Sequence, residues 1–163
     1  MNLHTFVVHF PVALLMIYSL CELVRFQKVL MWPSWFYIKA FFVIIGAGSS
    51  VVAFGFGEVA EHAGVYNERI LDIHIFFAAV SMVVFSALAA SYAALIIEQI
   101  RPLRIPFWGL VLRIARFLTG SFVVVPAIIG LLAISITGAF GSALVRGPEN
   151  DFIVSFMYHL FFR

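Results

Sequence analysis

Four long apolar stretches, interrupted by short polar breaks, make up most of the chain. They run approximately from Leu3 to Val24, Trp35 to Phe56, Ile70 to Ile97 and Leu118 to Val145. Each reaches the length of about 20 residues that a helix needs to cross a hydrocarbon core. None alternates apolar and polar residues with a period of two, so the pattern predicts membrane-spanning helices and not the strands of a closed barrel. The expectation is one all-α domain over residues 1–163, an integral membrane four-helix bundle. The first stretch lacks a basic leader and a small-residue cleavage motif and reads as a retained span. The closing segment GPENDFIVSFMYHLFFR is too short to cross and reads as a C-terminal interfacial segment over one face.

Composition agrees with this pattern. Of 163 residues, 64% are hydrophobic and 11% charged, and the mean hydropathy is +1.10, values of integral membrane proteins and not of soluble globular domains. The lone Cys21 lies in an apolar run with no CxxC or CxxCH spacing, which argues against cysteine metal clusters and covalent haem attachment. Arg25, Lys28, Lys39, Arg101, Arg104, Arg113 and Arg116 fall on one side of the predicted bundle. The other side carries Arg69, Arg146 and Arg163 among Glu58, Glu61, Glu68, Asp72, Glu149 and Asp151. The positive-inside rule assigns the first set to the cytoplasm, giving an N-out, C-out protein of the inner (cytoplasmic) membrane. That topology accounts for the basic residues without nucleic acid as a partner.

Between the third and fourth spans, IRPLRIPFWGLVLRIARF alternates basic with apolar residues. Either it forms a short interfacial helix, with Phe107, Trp108 and Leu112 in the interface and its arginines snorkelling, or it is an ordinary basic loop. Gly46, Ser50, Ala53 and Gly57 form a stripe of small residues along the second span, and Gly130, Ala133, Thr137 and Gly141 another along the fourth. Such stripes allow close helix packing or leave room for something flat, close packing being the simpler reading. Pro11 and Pro126 are expected to kink their helices.

All five histidines, His4, His9, His62, His74 and His159, fall at the extracytoplasmic side. His9 enters the first span by about six residues and His74 the third by about four, so at 1.5 Å per residue they reach similar depths. Ala13 and Ala78 follow them at i+4, space for the edge of a macrocycle. Two imidazoles facing each other in an apolar slot can hold b-type haem as axial ligands. One haem is expected, or two if His4 and His62 form a second pair. His159 reads as a plain interfacial residue. Arg69 and Arg146 are candidate partners for haem propionates, unless Arg69 pairs with Glu61, Glu68 or Asp72.

HTFVVHFPVALL (4–15) resembles the HPxxVHFPIALL signature of a bacterial four-helix membrane family known only as a domain of unknown function. GEVAEHAGVYNERILDIH (57–74) is similar to that family's second block, and GAFGSALVRG (138–147) to its Gly-rich exit from the fourth helix. Two departures stand out: His4-Thr5 replaces His-Pro, and Ile75 follows His74 where an acidic residue is common. Family members occur joined to c-type cytochrome domains, so the resemblance implies a redox setting.

The first expectation is therefore a b-type membrane cytochrome, an electron carrier or redox subunit more than a stand-alone enzyme. Its partners would be the lipid bilayer, a c-type cytochrome or quinol, and other membrane subunits. A second reading is a non-redox Cu or Zn site built from His4, His9, His62 and His74. A third is an accessory subunit without a cofactor, docking through its small-residue faces. No GxSxG, phosphate-binding glycine loop or carboxylate pair within a span points to hydrolysis or group transfer.

Overall fold

The computed structural model describes the backbone at residues 3–63, 66–147, 149 and 151–162, and the side chains there except at 3–6, 58 and 60–63. The described residues are all helix and connection. Seven helices form, where the apolar pattern predicted a bundle of four: α1 (Leu3–Leu23), α2 (Gln27–Leu30), α3 (Ser34–Ala63), α4 (Glu68–Ile100), α5 (Trp108–Thr119), α6 (Val124–Arg146) and α7 (Phe152–Phe161). The three additional helices are short and occupy stretches that hydropathy leaves as connections or ends. Among the described residues, α3 (over Ser34–Gly57), α4 and α6 are long and apolar enough to cross a membrane. The apolar parts Val7–Leu23 and Phe152–Phe161 are shorter.

The long helices close a ring in which α1 packs on α3, α3 on α4, α4 on α6 and α6 on α1. Neighbours in this ring run antiparallel. The C-terminal end of α1 thus meets the start of α3 and the end of α4, and this is called here the Glu22 end. The start of α4 meets the end of α6 at the opposite, His74 end. Leu15 and Tyr18 of α1, Val43 of α3, Phe85, Leu88 and Tyr92 of α4 and Val123 at the head of α6 make the main core. Outside the ring the surface is apolar too, with Phe10, Leu20, Phe41, Val51, Phe76, Val83 and Leu132 all exposed. A soluble protein does not carry so continuous an apolar exterior; lipid is the solvent it suits.

Local chemistry explains the boundaries. Asn67 caps α4, its side chain accepting from the Ile70 amide, and Asp151 caps α7 through the Ile153 amide at 2.8 Å. Helix α6 stops at Gly147, whose φ of 90° suits glycine. Pro126 lies in the first turn of α6, where amides have no helical partner in any case, so the helix continues without the lost bond that a kink would need. Pro11 does lie inside α1.

Of the two alternatives for the segment between the third and fourth spans, a helix forms, as α5. Leu112, however, is buried with Ala115 against α4 and does not face outward. The Trp108 indole donates to Glu98 Oε2 at 2.7 Å, and of the three apolar residues expected at the interface only Phe107 is exposed.

The small stripes are filled from within. A Cβ at Gly130 would lie 2.6 Å from Phe85 Cζ, and one at Gly46 2.7 Å from Leu15 Cδ2. The flat object on α6 is thus the Phe85 ring. Gly130→Val is expected to cost about 1–3 kcal/mol by overpacking. Gly48→Ala, with nothing within 4 Å of its Cβ, should be neutral or stabilising by up to about 1 kcal/mol. Thermal unfolding in detergent, followed by circular dichroism, checks both.

Candidate functional site

Two places in the ring hold polar side chains in apolar surroundings. At one of them, His74 lies on the inward face of α4, on the same side as Ile70, Ser81 and Phe85. Its ring is half-buried, and its Nδ1 lies 2.9 Å from the carbonyl oxygen of Thr137 on α6. A carbonyl only accepts, so Nδ1 carries the proton and, in the neutral ring, Nε2 carries the lone pair. Gly141, one turn beyond Thr137, makes this approach possible: a Cβ there would stand 3.1 Å from His74 Cε1. The α6 stripe predicted from sequence is therefore the seat of the His74 ring as well as of Phe85. Ala78, one turn along α4, is half-buried, and its carbonyl accepts from Ser81 Oγ at 2.9 Å.

His9 has a different setting. It is exposed, as are Ala13, Met16 and Leu20 at i+4, i+7 and i+11, and these form the outward stripe of α1. The buried stripe is Pro11, Leu15, Tyr18 and Glu22 on the other side of the helix. The structure thus places His74 on the inward face of α4 and His9 and Ala13 on the exposed stripe of α1.

His4 lies on α1 and His62 on α3, but their side chains lie outside the described residues, as does that of Glu61. Arg69 and Arg146 are both exposed. Arg69 shares an open cleft of about 660 Å³ with Asn67, Glu68, Tyr158, Phe161 and Phe162. It forms no ion pair with Glu68 or Asp72. His159 is exposed on α7, its ring edge-on to Tyr158. Among the described residues, no group of three or more His, Cys, Asp or Glu side chains is arranged to hold a metal ion.

The second place escaped the sequence reading. At the other end of the ring Glu22 is 2% exposed, and both carboxylate oxygens are engaged. Lys39 Nζ donates to Oε2 at 2.8 Å, and Tyr92 Oη donates to Oε1 at 2.5 Å. The Lys39–Glu22 pair is the one salt bridge among the described residues and joins α1 and α3, and the Tyr92 hydrogen bond adds α4. Lys39 also stands 5.9 Å from the centre of the Tyr92 ring. Tyr18 packs edge-on against Tyr92, and its buried hydroxyl has no hydrogen-bond partner among the described residues. Lys39 therefore does more than set topology. The signal was present in the sequence: Glu22 and Lys39 are charges inside apolar runs, nearly equidistant from the break at 25–34, where folding back as an antiparallel hairpin aligns them.

No protein-family model, no curated protein and no solved structure matches this chain.

A buried ion pair is worth little net, but half of one is costly. Glu22→Ala alone is expected to destabilise by about 3–5 kcal/mol by leaving Lys39 uncompensated. Glu22→Leu with Lys39→Met and Tyr92→Phe should retain most of the stability. Unfolding midpoints of the purified variants in one detergent check the contrast.

Proposed function

We propose that this chain is a multi-pass protein of the inner membrane, with α1, α3, α4 and α6 as spans and the His74 end extracytoplasmic. On this reading it binds haem b near that face as an electron carrier or redox subunit. The observation that carries the reading is the His74 imidazole, turned inward with Nδ1–H held by a main-chain carbonyl. A hydrogen bond of this kind fixes the tautomer and orientation of metal-ligating histidines and makes Nε2 the better donor. The basic residues gathered toward the Glu22 end support the orientation.

The donor set fits haem in part. His74 fits, and Arg69 and Arg146 are exposed toward the same end, available to carboxylates. His9 does not suit an interior pair. His4, in the first turn of α1 at the His74 end of the ring, is taken as the second ligand. Haem b, when bound, supplies one-electron exchange. The chain's part is to present one imidazole in a fixed tautomer, to surround it with apolar side chains, and to offer guanidinium groups at the rim. The partner is a one-electron donor or acceptor at the outer face, a c-type cytochrome or a quinol.

Detergent-purified protein reconstituted with hemin should give a Soret band and, after dithionite, a sharp α band. His74→Ala and His4→Ala should each abolish the bis-imidazole spectrum, whereas His9→Ala should leave it. Loss with His9→Ala and retention with His4→Ala would return His9 to the ligand set. A wild type that stays colourless under these conditions ends the haem reading.

A further inference from the structure

A third feature belongs to neither polar site. Helix α5 buries Leu112 and Ala115 against α4 and turns Leu110, Ile114 and Phe117 outward at i, i+4 and i+7, all of them exposed. Phe122 packs beside Phe117, their ring centres 5.5 Å apart, and widens this apolar strip. Arg113 and Arg116, both exposed, follow one flank between the outward strip and the buried face, and Arg101 and Arg104 are exposed on the approach to the helix. None of the four forms an ion pair among the described residues. The nearby carboxylate in sequence, Glu98, accepts from the Trp108 indole and pairs with none of them. Four unpaired guanidinium groups beside an apolar strip combine a surface for acyl chains with a surface for phosphate.

We propose that α5 and the 101–104 approach form a binding site for anionic phospholipid. The headgroup phosphate would be held by Arg113 and Arg116, and the acyl chains would lie along Leu110, Ile114 and Phe117. Charge complementarity chooses this occupant: a zwitterionic headgroup brings no net charge to the four arginines, and a protein partner would need an acidic face. The inference rests on the membrane reading but is independent of haem.

The test is native mass spectrometry of the full chain in detergent, with phosphatidylglycerol or phosphatidylcholine added in equal amounts. Wild type should retain phosphatidylglycerol preferentially. At about fivefold per arginine near an anionic surface, Arg113→Gln with Arg116→Gln should weaken that retention by about thirtyfold while leaving phosphatidylcholine unchanged. Arg113→Lys with Arg116→Lys should restore most of it, and unaltered circular dichroism separates lost binding from lost fold. Equal retention of both lipids by wild type overturns the proposal, and so does displacement of phosphatidylglycerol by inorganic phosphate, which would make this a plain anion site. A chain that remains soluble without detergent would instead sink the membrane reading beneath it.

Discussion

A chain with so apolar an exterior has to find partners for its polar side chains within itself, and this requirement organises the whole fold. Serine and threonine hydroxyls meet it locally. Ser19, Ser49, Ser91, Ser135, Thr119 and Thr137 each donate to the carbonyl four residues back. Glu22 and His74 cannot do so, because their groups reach beyond their own helices. Each is satisfied across a helix boundary, Glu22 by α3 and α4 and His74 by α6.

The two tie points differ in chemistry. At Glu22 an ammonium pairs with a carboxylate and a phenol donates to its second oxygen, so both carboxylate oxygens are engaged. Such a cluster holds three helices in register and contributes specificity more than net stability. At His74 the bond to Thr137 engages one ring nitrogen and sets the role of the other. An imidazole oriented through its second nitrogen suits coordination chemistry, which is why the functional proposal centres on this end.

Glycines on α6 link packing to chemistry. Gly130 receives the Phe85 ring and Gly141 the His74 ring, two contacts of the same kind three turns apart on one helix face. A stripe of small residues is thus completed by large ones from α4. The Gly130 and Gly141 positions on that face are occupied from within the chain.

The sequence by itself determined the apolar helices, their approximate bounds, the basic and histidine-rich ends and the small-residue stripes. All of these follow from hydropathy, charge and helical spacing, which are local properties of the chain. Tertiary structure decided which way each side chain turns. His9 and His74 look equivalent by depth, yet a helix has an inward and an outward face, and only packing against α3 and α6 turns the Pro11–Leu15–Tyr18 stripe of α1 inward and His9 outward. In the same way Lys39 read as one more positive charge until the α1–α3 hairpin brought it to Glu22. Partners that meet across helices depend on rotation and register about each axis, and a single sequence does not carry that information residue by residue.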